Sequence, residues 1–195
     1  MKQLTIVVVV LLVIALIFGG AFVSRRNQMV RLNEDVKSKW AQVDVVLERR
    51  ADLIPNLVET VKGFAAQEQT VFDDVAKART QYMNAQNPTD KIAASNQLYG
   101  AEVKVLALAE NYPQLKSNEN FLRLQDELSG TENRIAVERK RYNDSIQAYN
   151  TYIGLFPNNI VASLSGFQRN NAYFAAAEAA REVPKVQFPA PVTRP

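Results

Sequence analysis

Residues 49–64 read RRADLIPNLVETVKGF, and they combine a helical pattern with two residues that a helix interior seldom tolerates. Leucine, isoleucine and valine recur every three or four positions, as on the buried side of an amphipathic helix. Pro55 interrupts this pattern, although an internal proline costs about 3 kcal/mol and bends a helix. Arg50 occupies a position on the apolar side. The fold must therefore accommodate a proline and an arginine within one helical seam.

The seam continues on both sides of this stretch. Alternating steps of four and three residues select positions that are apolar or aromatic at all but Arg50 and Glu68: Val36, Trp40, Val43, Leu47, Arg50, Ile54, Leu57, Val61, Phe64, Glu68, Val71, Val75, Ala78 and Tyr82. This register predicts one long helix that packs as in a coiled coil and extends about 70 Å. At Pro55 we expect either a kink or a second helical start capped by Asp52, and either would redirect the helix.

A membrane anchor is predicted at the N-terminus. Residues 4–23 read LTIVVVVLLVIALIFGGAFV and carry no charge, and such a helix spans about 30 Å, the thickness of a bilayer core. A cleaved signal peptide is the alternative, with small residues at 19–21, but the apolar run continues past them. We therefore predict an uncleaved single-pass anchor over residues 1–24. Its representative side chains are Leu4, Ile6, Val10, Leu12, Leu16, Phe18 and Val23.

The distribution of charge bears on orientation and on partners. Arg25, Arg26, Arg31 and Lys37 follow the apolar segment, whereas only Lys2 precedes it. The positive-inside rule then favours a cytoplasmic C-terminal part and an external N-terminus. Further along, both signs are interspersed without a basic block, which argues against a nucleic-acid partner.

Helical segments dominate the remainder of the chain. The sequence predicts a helix over 88–111, a third long helix from Ser117 or Asn118 to Ile153, a short helical turn at 158–164 and a last helix over 170–182. The final residues, 183–195, are rich in proline and are expected to be extended. The prediction is an all-α fold of three long helices and a short C-terminal helix in a domain over 25–182.

The residue types leave little room for catalysis. The chain has no cysteine and no histidine, so the thiolate nucleophile, the commonest general base and the commonest transition-metal ligands are missing. A di-iron site in a helical bundle normally needs Glu-x-x-His pairs. Ser163 and Ser165 have no lysine at motif spacing. We expect no catalytic residues, no cofactor and no metal site, and an enzyme of unknown type is the weakest alternative.

Two features of the helices are ambiguous. Arg50 either reaches water or forms a buried ion pair, with Glu68 of a neighbouring chain or with Glu102 or Glu138 as partner, or it belongs to a docking site. The Tyr-Asn pairs at 142–143 and 149–150 lie seven residues apart, on one face of a helix. That face, with Tyr152 beside it, either packs with its hydroxyls satisfied or forms an aromatic ligand groove.

Three stretches resemble the LemA family: RRADLIPNLVETVKGFAAQE (49–68), YNDSIQAYNTYIGLFPNNIVASLSGF (142–167) and AREVPKVQF (180–188). The order of anchor, long helices and a YN…YN…FP segment is also similar. The resemblance implies a bacterial membrane protein with an antiparallel helical-bundle domain. It implies no activity, because the family has no agreed biochemical function. Its motif residues, which are also the candidate interaction residues, are Arg49, Arg50, Asp52, Pro55, Asn56, Tyr142, Asn143, Tyr149, Asn150, Phe156 and Pro157.

The expected function follows from the anchor, the seam and this resemblance. We expect a non-catalytic, membrane-anchored helical scaffold of the bacterial inner membrane, with the bundle on the cytoplasmic side. Expected partners are the bilayer, through one transmembrane helix, other membrane or envelope proteins, and further copies of the chain. A membrane-remodelling or vesicle-shaping assembly protein is the alternative, since one type of family member is associated with magnetosome formation.

Overall fold

The computed structural model describes residues 2–175, and all regular secondary structure in that range is helical. The elements are α1 Lys2–Lys62, α2 Gln69–Asn84, α3 Pro88–Ala107, a 3₁₀ turn Leu108–Glu110, α4 Pro113–Lys116, α5 Glu119–Gly154 and α6 Asn158–Ser165. The predicted all-α class is confirmed for these residues. The proline-rich segment 183–195 lies outside the described residues, so its extended structure stays a prediction.

The seam is divided between two helices, so the prediction of one helix from Val36 to Tyr82 is wrong. α1 ends at Lys62 and a turn over residues 63–68 precedes α2. Gly63 begins this turn, and glycine is about 1 kcal/mol less favourable than alanine in a helix. Most of the seam positions on both sides are nevertheless buried. The periodicity thus identified the buried face but carried no information on where the chain folds back.

α1 and α5 form the most extensive interface between helices, and α2 and α3 form the second. α1 and α5 run in opposite directions, because Trp40 packs on Tyr142 whereas Arg49 lies near Glu127. α2 and α3 form a hairpin through a loop at 85–87. α3 and α6 also contact α1, so the first helix touches most of the others.

Asparagine side chains cap the predicted starts of two helices. The Asn87 Oδ1 accepts a hydrogen bond from the Asp90 N–H at 2.9 Å, and Pro88 occupies the first helical position. The Asn118 Oδ1 accepts from the Phe121 N–H at 3.1 Å. These caps confirm the predicted starts of α3 and α5.

The predicted last helix over 170–182 is wrong for its described part. α6 ends at Ser165 and is followed by Gly166, whose φ of 76° is left-handed and favours glycine. Residues 167–175 then run without helical structure along α5, and we call them the C-terminal strap. Residues 176–182 lie outside the described part of the chain. Hydrogen bonds to α5 side chains hold this segment in place of helical backbone bonds.

The predicted anchor is the free end of α1. Residues 2–20 are all exposed, and Met29 is the first residue that is fully buried. α1 continues without a break from this apolar end into the packed helices, over about 90 Å. By length and composition it is apolar enough to cross a membrane. One helix therefore joins the exposed apolar segment to the core.

Candidate functional site

Pro55 lies inside α1, which continues as helix on both sides of it, so no second helical start occurs at Asp52. Proline has no N–H, and the carbonyl four residues earlier, that of Ala51, loses its normal helical donor. The Arg79 Nε, from α2, donates a hydrogen bond to the Ala51 oxygen at 3.2 Å. Pro55 thus frees an acceptor on α1 to which α2 attaches.

Arg50 is enclosed between α1, α3 and α5, where it forms ion pairs with two glutamates. Its side chain is only 1% exposed, and its Nε lies 3.4 Å from the Glu102 Oε2. Its Nη2 pairs with Glu132 of α5, whose side chain is 35% exposed. The guanidinium also lies over the Tyr99 ring, 4.9 Å from the centroid. Of the expected partners, Glu102 is therefore correct.

The two other expected partners of Arg50 are engaged elsewhere. Glu138 forms an ion pair with Arg141 at 2.7 Å. Glu68 accepts a hydrogen bond from the Tyr112 hydroxyl at 3.0 Å within the same chain. Glu138 lies elsewhere on α5 and Glu68 lies in the turn after α1, and neither forms an ion pair with Arg50.

Burial governs the electrostatics of this cluster. It lowers the pKa of Arg50 and raises the pKa of Glu102, and the attraction between the two charges offsets only part of each shift. The Nε and both terminal nitrogens of Arg50 make no hydrogen bond of good geometry. A buried ion pair of this kind contributes little net stability, although losing one partner is costly. We infer a role in specificity, because the charges are paired only where α1, α3 and α5 meet in this register.

The remaining predicted residues of this stretch face outward. Arg49, Asp52 and Asn56 line a shallow groove between α1 and α5, with Leu53 and Glu127 beside them. The Arg49 Nη2 lies 3.6 Å from the Glu127 Oε2, and both side chains are well exposed. We call this surface the outer groove. Arg49, Asp52 and Asn56 of the motif are therefore exposed, whereas Arg50 and Pro55 take part in contacts between helices.

The Tyr-Asn repeat of α5 binds the C-terminal strap through its asparagines. The Asn150 amide donates to the Asn170 carbonyl at 2.6 Å and accepts from the Asn170 N–H at 2.9 Å. The Asn143 amide does the same with Phe174, at 2.8 and 3.0 Å. Each asparagine side chain thus forms with one strap residue the pair of N–H···O bonds that a neighbouring β-strand would form. The two asparagines are seven residues apart on α5, and the strap residues that they bind, Asn170 and Phe174, are four residues apart.

Aromatic rings complete the contact between α5 and the strap. The Tyr149 hydroxyl donates to the Gln168 carbonyl at 2.9 Å. Tyr142 packs against Trp40 of α1, with ring centroids 5.2 Å apart, and against Phe174, at 5.9 Å. The Tyr-Asn face is therefore occupied by the chain itself, which supports the packing alternative over an open ligand groove.

Phe156 and Pro157 lie in the turn between α5 and α6, beside the exposed end of α1. Phe156 is 80% exposed, and together with Pro157 it lines a groove of about 460 Å³ that also includes Phe18 and Phe22. Tyr142, Asn143, Tyr149 and Asn150 come before this turn, on the face of α5 that holds the strap. The structure therefore does not bring the predicted residues into a single site.

The sequence analysis did not single out several residues that form these contacts. Arg79 satisfies the carbonyl freed by Pro55, and Glu132 joins the Arg50 cluster. Arg139 lies over the Phe174 ring, 4.8 Å from the centroid. Glu132 and Arg139 are seven residues apart, so their shared helical face is readable from spacing. The spacing does not reveal which element faces them.

These features define a class: an all-helical protein whose first helix is both a core helix and an exposed apolar segment. Among residues 2–175 no cluster of three or more potential metal-binding side chains occurs. Residues 39–188 match the model of the LemA family, and the chain belongs to this family.

Curated relatives support this assignment. The chain is 28% identical over 189 residues to Magnetosome protein MamQ 2 of Paramagnetospirillum magneticum, which covers 82% of this chain and 70% of that protein. It is 27% identical over 193 residues to Magnetosome protein MamQ of Magnetospirillum gryphiswaldense, with 86% and 70% covered. Protein LemA of Metamycoplasma hominis is 23% identical over 166 residues, with 85% and 75% covered.

Proposed function

We propose that this protein is a non-catalytic scaffold, anchored by one transmembrane helix, that holds a rigid helical bundle beside the bilayer. The observation that carries the proposal is the continuity of α1. Its uncharged segment over residues 4–23 is fully suited to lipid, and the same helix supplies the core of the packed part. A force or a partner acting on the bundle is thereby connected directly to the membrane.

The ionisable groups support a structural role rather than catalysis. Arg50 and Glu102 are 1% and 5% exposed, so their charges meet one another and not a substrate. Catalytic groups must be within hydrogen-bond reach of a reacting atom. α1, α3 and α5 enclose the cluster, and only the Glu132 side chain reaches the surface. We expect the cluster to affect the register of these helices.

One surface available to partner proteins is the outer groove. Its residues include Arg49, Asp52 and Glu127, so that both signs of charge lie around Val45 and Leu53. The core seam is buried within the single chain and does not require a second copy. We assign the protein to the bacterial inner membrane, with the bundle on the cytoplasmic side that the positive-inside rule favours, and with other membrane or envelope proteins as partners.

The proposal is tested by photocrosslinking of the full chain in its native membrane. A photoreactive amino acid replaces Asp52 in the outer groove, and a matched variant carries it at exposed Ser129 on α5. A scaffold predicts discrete crosslinks to the same membrane proteins from Asp52 and not from Ser129. Equal or absent crosslinking at both positions contradicts a scaffold role for this groove.

A second candidate, a membrane-remodelling assembly protein, is favoured by the relatives named magnetosome proteins. Here the anchored chains would form arrays that bend the bilayer. The full chain reconstituted in liposomes and imaged by electron cryomicroscopy separates the two candidates. Ordered arrays on deformed vesicles support remodelling, whereas dispersed particles on undeformed vesicles contradict it.

A further inference from the structure

The turn after α5 and the helix α6 expose an unusual amount of apolar surface. Phe156 is 80% exposed and Leu164 74%, and Leu155 and Ile160 are each more than half exposed. Ile160 and Leu164 are four residues apart and so lie on one face of α6. Elsewhere in the packed helices the exposed large apolar residues are mostly isolated, as is normal for a protein surface. A group of exposed apolar residues close together in the chain is typical of an interaction site.

This apolar surface lies against the part of α1 that would leave the bilayer. The groove between them is lined by Phe18, Phe22 and Arg25 of α1 and by Phe156, Ile160 and Val161 on the other side. Phe18 precedes Val23, the last apolar anchor residue, by five positions, or about 7.5 Å along the helix. Interfacial helices bury their apolar face by about 5–10 Å. The depth of α6 therefore matches the boundary between headgroups and acyl chains.

Charge points to the same location. Residues 154–168 contain no charged side chain, and Arg169 follows them. The adjacent end of the anchor carries Arg25 and Arg26, and its first acidic residue is Glu34. Basic residues beside an apolar face are favourable at anionic headgroups. Neither residues 154–168 nor the part of α1 before Glu34 contains a carboxylate, which would oppose contact with an anionic bilayer.

We propose that Leu155, Phe156, Ile160 and Leu164 insert into the leaflet through which α1 leaves the membrane, and so form a second lipid contact. This inference rests on the proposed anchoring by α1. The consequence is mechanical: the bundle is held at two points and cannot swing about α1 as on a free stalk. The occupant of the apolar surface is thus the lipid bilayer and not a second copy of the chain.

Depth-dependent quenching tests this contact on the full chain, which has no native cysteine. A fluorophore is attached to Leu164→Cys, to Val13→Cys in the anchor, and to Ser117→Cys, which is exposed in the turn before α5. Each protein is reconstituted in vesicles of phosphatidylcholine and phosphatidylglycerol. The vesicles contain phospholipids with a nitroxide either at a shallow or at a deep acyl position.

We expect shallow-nitroxide quenching at Leu164 to be several-fold greater than at Ser117, and deep-nitroxide quenching to be greatest at Val13. The added substitutions Phe156→Ser and Ile160→Ser, both at exposed positions, should abolish most of the quenching at Leu164. Quenching at Leu164 no greater than at Ser117, with Val13 still quenched, overturns the inference and leaves the anchor intact. If the Leu164 probe becomes shielded from both lipid and water quenchers, and only at high protein density, a second copy of the chain covers the surface and the inference is also overturned. Loss of quenching at Val13 would instead contradict the anchoring itself.

Discussion

Arg50 and Glu102 show how single charged residues can select one packing of helices. Both are almost fully enclosed, and burial disfavours the charged form of each. An apolar pair of similar size would be accommodated at least as well in energy. What such a pair would lack is the requirement that α1 and α3 meet at this one position.

Replacing only one partner of this pair should be far more damaging than replacing both. Arg50→Met leaves Glu102 buried without its cation and is expected to lower the free energy of unfolding by about 3–5 kcal/mol. In the double variant Arg50→Met, Glu102→Met most of this loss should be recovered. Urea denaturation in detergent micelles measures both, with Arg49→Met as the exposed control. A double variant as unstable as the sum of the single variants would contradict this account.

Pro55 and Arg79 should be energetically coupled. Arg79→Met removes the hydrogen bond to the Ala51 carbonyl, and for a charged donor the expected cost is about 1.5–3 kcal/mol. In a Pro55→Ala background the alanine N–H supplies a donor to the same carbonyl, so removing Arg79 should cost less. A double-mutant cycle measures this coupling. Effects that add to within about 0.5 kcal/mol would show that the two residues act independently.

At the level of elements, the C-terminal strap depends on asparagine side chains rather than on a regular backbone ladder. Asn143→Ala and Asn150→Ala should each release part of the strap, because the Phe174 and Asn170 amides lose their acceptors. Hydrogen exchange of these two amides should accelerate strongly, and α5 itself should remain protected. Asn133→Ala, at an exposed position on α5, is the control. Unchanged exchange at both amides would mean that the aromatic contacts alone hold the strap.

The sequence predicted some elements well for physical reasons. The caps Asn87 and Asn118 act locally, so the starts of α3 and α5 are readable from the chain itself. A helix was predicted over 170–182 because that segment is rich in alanine, which has high helical propensity. The bonds that hold its described part come instead from Asn143 and Asn150 on another element. Glu102 was one of three carboxylates considered as partners of Arg50, and Glu132 was not among them, since spacing along one helix does not reveal which helix faces it.

At the scale of the whole molecule, the core is complete within one chain. Val43, Leu47 and Leu57 of α1 are buried by the other helices of the same chain, so a fragment without the anchor needs no second copy. We expect residues 28–195 to be monomeric and soluble. Sedimentation equilibrium measures this directly. An obligate dimer would show that the seam extends between chains and that the self-contained core is an incorrect description.

In the proposed function, α1 crosses the bilayer and places the packed helices on one side of it. Single-cysteine variants Gln3→Cys and Ser117→Cys probe the two ends, with a maleimide that cannot cross the inner membrane and with any outer membrane opened first. We expect Gln3→Cys to be labelled in intact cells and Ser117→Cys to be labelled only after lysis. The reverse pattern would keep the span but contradict the orientation. Labelling of both positions from the same side would contradict the span, and with it the anchored scaffold.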